Sequence, residues 1–147
     1  MRKIFLLMLL FMIFLSTVVD ASDEFCASLR NMKGEVVIER NGQTLATKVG
    51  THVFPNDSIR TGPDSSVGII FVDNSRMSLG PNSRLDLKKF VFKPNEGKFS
   101  MVNKLSKGTA SFVSGKMTKL SPESVVLETP SSTIGVRGTT FNVKVND

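Results

Sequence analysis

From Glu35 onward, apolar and polar positions alternate with a period of two. Val36 and Ile38 alternate with Glu35, Val37 and Glu39, Leu85 and Leu87 with Arg84, Asp86 and Lys88, and Phe141, Val143 and Val145 with Asn142 and Lys144. Successive side chains of a strand point to opposite faces, so each segment predicts a strand with one apolar side. Val67 to Val72 is instead a nearly continuous apolar run, interrupted at Gly68, as expected of a strand covered on both faces. This phasing places Leu85, Leu87, Ile70, Phe112, Phe141 and Val143 toward the core. No later stretch holds a 3.6-residue stripe long enough for a helix, although Ala27 to Met32 has room for a helical turn or two.

Turn signals separate these runs at short intervals: Asn41-Gly42, Pro55-Asn56-Asp57, Gly62-Pro63-Asp64, Asp73-Asn74, Gly80-Pro81-Asn82, Pro94-Asn95-Glu96-Gly97, Gly115, Pro122 and Pro130. Asn-Gly suits the two positive φ angles of a tight hairpin. Short strands at about ten-residue spacing predict a single all-β domain of antiparallel strands, a β-sandwich or β-roll, or else a solenoid-like stack of hairpins. One turn is echoed: Thr61-Gly62-Pro63-Asp64-Ser65 returns as Leu79-Gly80-Pro81-Asn82-Ser83, with a strand after each. Proline fixes φ and the Asx and Ser side chains bond locally, so turn chemistry explains the echo without a ligand. The two turns should lie at one end of the fold or stack in successive layers.

The N-terminus follows a different pattern. Arg2 and Lys3 precede an apolar run from Ile4 to Leu15, and Val19-Asp20-Ala21 follows as a small-residue cleavage pattern. We read residues 1–21 as a secretory signal peptide, because the run is shorter than the ~20 residues of a spanning helix. An uncleaved anchor is the alternative. Residues 22–33 then form a lead-in and residues 34–147 the β domain, exported to the periplasm or beyond. Cys26 lies close to a lipid-anchor position, but Asp23, Glu24 and Phe25 are poor residues for such processing. A free thiol near a loose N-terminus, or an intermolecular disulfide, is the plainer expectation.

The 147 residues carry a net charge of +6, and +5 once residues 1–21 with two cations and one acid are removed. After the signal segment, Lys88-Lys89 is the only adjacent basic pair, which gives no dense face for nucleic acid. One cysteine and one histidine leave no zinc-ligand set, and no cofactor is called for. Ser-x-x-Lys and Gly-x-Ser-x-Gly are absent, and Gly115-Lys116 is followed by Met117 where a P-loop needs Ser or Thr. His52 has no nucleophile motif beside it, and nothing brings Asp64 to Asp73 or Glu123 to Glu128 for work on a glycan. A non-enzymatic module is therefore expected. The most unusual stretch runs from Glu128 to Val143, where Gly135 and Gly138 bracket Val136-Arg137. Arg137 there either offers a planar fork to a partner's carboxylate or bonds internally and fixes a strand crossing.

Taken in order, Gly34-Glu35-Val36-Val37-Ile38, Ile59-Arg60-Thr61-Gly62-Pro63-Asp64-Ser65, Asp73-Asn74-Ser75-Arg76, Leu79-Gly80-Pro81-Asn82-Ser83 and the closing Thr129-Pro130 to Gly135-Val136-Arg137-Gly138-Thr139 with Phe141 resemble the FecR family of bacterial envelope proteins. The resemblance implies an extracytoplasmic all-β domain without catalysis, used in some members to pass a signal across the inner membrane. Those members carry a cytoplasmic sigma-factor-controlling segment, whereas only Met1, Arg2 and Lys3 precede the apolar run here. The expected role is an exported module that binds another envelope protein in signalling or assembly, for instance by adding a strand to an exposed sheet edge, with Thr129, Pro130, Gly135, Arg137, Gly138 and Thr139 as the candidate interaction or structural motif. The alternative is a module for an anionic envelope polymer such as peptidoglycan or polysaccharide, suggested by Lys88, Lys89, Lys93 and Lys98 around one hairpin.

Overall fold

The computed structural model describes residues 24–138 and 140–146, so the signal peptide expected at 1–21 and the motif residue Thr139 lie outside the described residues. The strands are β1 Ala27–Lys33, β2 Val36–Arg40, β3 Gln43–Ala46, β4 His52–Val53, β5 Ser58–Thr61, β6 Ser66–Phe71, β7 Arg76–Leu79, β8 Arg84–Lys93, β9 Lys98–Val113, β10 Val125–Glu128, β11 Thr133–Gly135 and β12 Thr140–Val145. One short helix, α1 Lys116–Leu120, follows β9. The strand order is β3-β2-β5-β8-β9-β7-β6-β1-β4, with β10 and β12 also paired to β9 and β11 paired to β10. All pairs are antiparallel except β9 with β10. The sheet is single and curled, the roll among the three expected arrangements.

The 16-residue β9 is the spine of this roll. Its first part pairs β8 as far as Lys107 opposite Arg84, and its last part pairs β7 from Ala110 opposite Leu79 to Val113 opposite Arg76. Between them the buried phase changes from Met101 and Leu105 to Ala110 and Phe112. The change falls at the register shift between Leu105 and Lys107, just ahead of Gly108, whose φ is +89°. A Cβ there would lie 2.5 Å from the Ser83 Cα, so both the backbone angle and the close approach require glycine. Both parts of β9 feed one apolar cluster with Leu29, Ile38, Ile59, Ile69, Phe71, Leu85 and Leu87, and every member of that cluster lies between Cys26 and Val145.

The turns repeat one design. Asn56, Asp64, Asn74 and Asn82 have φ of 72°, 50°, 66° and 52°, and each precedes a buried polar residue, Asp57, Ser65, Ser75 or Ser83. Asx tolerates positive φ better than other side-chain-bearing residues, which explains its recurrence at these positions. In the first echo turn the Gly62 N–H donates to the Glu35 carbonyl at 3.0 Å, and the Glu35 N–H donates to Ser65 Oγ at 2.8 Å. In the second, the Gly80 N–H donates to the Thr109 carbonyl at 3.1 Å and the Thr109 N–H donates to Ser83 Oγ at 3.0 Å. The two turns stack through Thr61, whose hydroxyl donates to the Gly80 carbonyl at 2.6 Å and accepts the Ser83 N–H at 2.9 Å. At the third turn the buried Asp73 carboxylate accepts the N–H of Ser75 at 3.0 Å and of Met117 at 3.1 Å, which ties α1 to the β6–β7 connection.

Several expectations are corrected. Ala27–Lys33 is strand, not helix: it pairs β6 and β4, and these partners satisfy its backbone within the sheet. In β6 it is Val67, Ile69 and Phe71 that are buried, while Ile70 faces the other, half-covered side and Val72 is exposed. The segment is thus covered on one face, and Ile70 is not a core residue. Leu85, Leu87 and Phe112 are fully buried as expected, whereas Phe141 and Val143 have the expected phase but only half the burial. Cys26 is likewise buried and not loose: its thiol donates to the Val53 carbonyl at 3.5 Å and its own carbonyl accepts the Val72 N–H at 3.0 Å. Burial first, and then repulsion from the Asp57 carboxylate, pushes its pKa up to about 12.

Candidate interaction site

The Glu128–Val143 stretch forms the far corner of the roll. β10 runs parallel to β9 over Met101–Lys104, and its chain reverses through a turn in which the Thr129 N–H donates to the Ser132 carbonyl at 2.8 Å. The Ser132 N–H in turn donates to Thr129 Oγ1 at 3.1 Å, with Pro130 exposed at the tip. This is why Thr and Pro stand together here: one hydroxyl closes the turn and the ring fixes its φ. β11 returns against β10, and Val136 then buries its side chain while its N–H donates to the Val125 carbonyl at 3.0 Å. Val136 is the anchor of this connection.

The residues around it have different roles. Arg137 is exposed, and it lies near enough to Glu123 to help hold that carboxyl below its usual range, after the larger effects of a backbone N–H and the Ser121 hydroxyl. Gly138 has φ of +115°, whereas Gly135 has no positive φ and no heavy atom within 4 Å of an added Cβ. Of the two bracketing glycines only Gly138 is needed by its backbone.

Beyond Gly138 the chain enters β12, which pairs β9 from Thr140 opposite Val113 to Val145 opposite Gly108. Among the described residues β12 has no second neighbour, so its outer edge presents a row of unpaired backbone groups. Phe141, Val143 and Val145 are half-buried on one face, and Asn142 and Lys144 are exposed on the other. Where β12 ends, a cleft of about 660 Å³ opens between it and the β10–β11 hairpin, lined among others by Ser106, Thr129, Ser131, Ser132, Ile134 and Val145. Thus the structure brings Thr129 and Pro130 to the cleft, and it leaves Arg137 and Gly138 on the connection behind it. Ser106, Ile134 and Val145 carried no signal in the sequence beyond ordinary strand alternation.

Elsewhere the polar residues are internally matched. Asp57 receives Arg40 through two bonds of 2.8 and 2.7 Å and the Phe54 N–H at 2.8 Å, and the Arg40 guanidinium lies 4.6 Å from the Phe54 ring centre. Glu39 bridges Arg60 and Arg84 on the outer face of β2, β5 and β8. His52 is exposed and stacks on Phe25 with ring centres 4.0 Å apart. The Asp73 carboxylate is engaged by Ser75 and Met117, that of Glu123 by Ser121 and that of Glu128 by Lys88.

A family model described as FecR protein matches residues 57–147. The chain belongs to the FecR family. The family is associated with envelope signalling. No curated protein and no solved structure matches the chain. The FecR match begins at Asp57, the buried acid of the first Asx turn, and takes in the three later turns, β9 and the whole β10–β12 corner. The Gly34–Ile38 segment lies outside it, yet Glu35, in the connection just before β2, is the residue on which the first echo turn docks.

Proposed function

We propose that this FecR-family chain is an exported, non-enzymatic module that binds another envelope protein, and that the partner adds a strand to β12. One observation carries this reading: β12 is the longest strand with a single partner among the described residues, with six residues against four, two and three in β3, β4 and β11, and so offers one whole edge. Strand addition draws affinity from main-chain bonds and specificity from alternate side chains. Here the half-buried Phe141, Val143 and Val145 favour apolar residues in one phase of the partner segment, and the exposed Lys144 favours an acidic residue in the other. The cleft beside Val145 receives the end of that segment. The signal-like N-terminus supports delivery to the periplasm or outside the cell.

The test is in-cell photocrosslinking from Asn142 in β12, with Thr44 in β3 as the control edge, followed by mass spectrometry of the adducts. A single protein adduct at Asn142 and not at Thr44 is expected. Adducts at Thr44 alone, adducts only with wall polymer, or none at either position would overturn the assignment.

A further inference from the structure

On the opposite side of β9 from this corner, β8 and β9 extend as a two-stranded arm whose Phe90, Phe92 and Phe99 lie half-buried against the edge of the core. After a register shift between Leu87 and Lys89 the arm pairs Phe90 with Met101, Phe92 with Phe99 and Lys93 with Lys98, closing through a short 3-10 turn at Pro94–Glu96. The register places Phe90, Phe92 and Phe99 on one face and Lys89, Lys93 and Lys98 on the other. Phe90 stacks on the core residue Phe71 at 5.8 Å, and Phe92 meets Phe99 at 6.0 Å. Beside the arm a groove of about 390 Å³ is lined by Phe25, Pro55, Val72, Phe90, Val91 and Phe92, together with Glu24 and Lys93. Phe25 and Val72 are each 42% exposed, a large apolar area for residues on a soluble surface.

We propose that this arm and groove form a docking surface for an anionic phospholipid membrane. An apolar aromatic face with lysines on the reverse is the strand counterpart of an interfacial amphipathic helix, whose rings enter the headgroup region while its cations meet lipid phosphates. The charge pattern fits: Lys89 and Lys98 have no ion-pair partner among the described residues, and Lys93 meets only the exposed Glu96 at 4.0 Å, a contact that solvent screens. The position of chain entry fits as well. Glu24 lines the groove, and only residues 16–23 separate it from the apolar run Ile4–Leu15. In the alternative in which residues 1–21 stay uncleaved, these eight residues reach at most about 29 Å and keep Glu24 within that distance of the bilayer. This surface is separate from β12, and its failure leaves the strand-addition reading untouched.

The test is co-sedimentation of residues 22–147, which contain the whole apolar cluster, with phosphatidylglycerol vesicles and with phosphatidylcholine vesicles. Binding to the anionic vesicles at low salt is expected, at least tenfold stronger than to the neutral ones. At roughly fivefold per cation, the triple variant Lys89→Gln, Lys93→Gln, Lys98→Gln should weaken it by one to two orders of magnitude. Phe25→Ser should weaken it too, and both variants should melt as the parent does. No binding to anionic vesicles, equal binding by the triple variant, or equal binding to a soluble anionic polysaccharide without need of Phe25 would overturn the proposal.

Discussion

Substituting three glycines by alanine isolates what holds the roll together. At Gly135 the backbone is unstrained and the added methyl meets nothing within 4 Å, so Gly135→Ala should be neutral or stabilising by up to about 1 kcal/mol. At Gly138 the φ of +115° charges an alanine for its conformation alone, about 1–2 kcal/mol, because the space around it is open. At Gly108 three costs combine. The φ of +89° contributes a similar strain, and the methyl would stand 2.5 Å from the Ser83 Cα, a backbone atom that cannot swing away. Overpacking of that kind costs about 1–3 kcal/mol. Moving Ser83 also weakens its bond from the Thr109 N–H, worth about 1 kcal/mol.

The total for Gly108→Ala is therefore about 3–6 kcal/mol. Urea unfolding of the chain from Ser22 onward gives the three values directly, and for a domain of this size each kcal/mol moves the melting temperature by about 2–4 °C. Trimming the neighbour with Ser83→Ala should not rescue Gly108→Ala, because the nearest immovable atom is the Ser83 Cα. A Gly108→Ala protein that unfolds within about 1 kcal/mol of Gly138→Ala would refute the docking of the second echo turn on β9.

Two further outcomes follow from burial. Leu87→Ala, in a fully buried β8 position, should cost about 2–5 kcal/mol, and Phe141→Ala, half-buried on the outermost strand, clearly less; equal shifts in thermal melts would show that β12 is more enclosed than its pairing implies. The Cys26 thiol, with its pKa raised from 9.0 to about 12, binds its proton more tightly in the folded chain. That preference is fully present below the unfolded pKa near 9 and is lost as pH rises through 12, with a slope of at most about 1.4 kcal/mol per pH unit. Urea titrations at pH 8 and pH 10 should therefore show a larger loss for the parent than for Cys26→Ala, and thiol reagents should react with Cys26 only on unfolding.

How much of this was legible in the sequence depended on polar punctuation. β2 and the first part of β8 were readable because charged residues fix which phase faces water. In Val67–Val72 both phases are apolar, so nothing local distinguishes Ile69 from Ile70; only the pairing of β6 with β1 and β7 decides it. Ala27–Met32 mixes Ser, Arg and Asn with Leu in no clean period, and its strand state comes from partners about 25 and 40 residues away. Bulges limit how far a phase can be carried. At Lys88 and again at Ser106 the register shifts and the buried parity changes, so a strict period of two cannot be carried through β8 or β9. The closing motif stood out as a group, but the cleft beside it draws on Ser106 and Val145, which come together only when β12 pairs β9.

The division between what marks the family and what is open to a partner follows from this bonding. Gly62, Ser65, Gly80 and Ser83 are among the residues that make the chain recognisable, and their backbone or hydroxyl groups are already engaged with Glu35 and Thr109; Asp73 and Ser75 are engaged with each other and with α1. A group whose bonds are satisfied inside the fold has little left to offer a ligand. The two proposals accordingly place recognition on groups without such partners: the outer edge of β12 and the arm of β8–β9. Neither belongs to the turn motifs, because a strand edge and an amphipathic hairpin need only alternation and not particular residues. The turn motifs hold the roll closed, and on the proposals above specificity falls to side chains such as Phe141, Lys144, Phe25 and Lys98, none of which bonds to those turns.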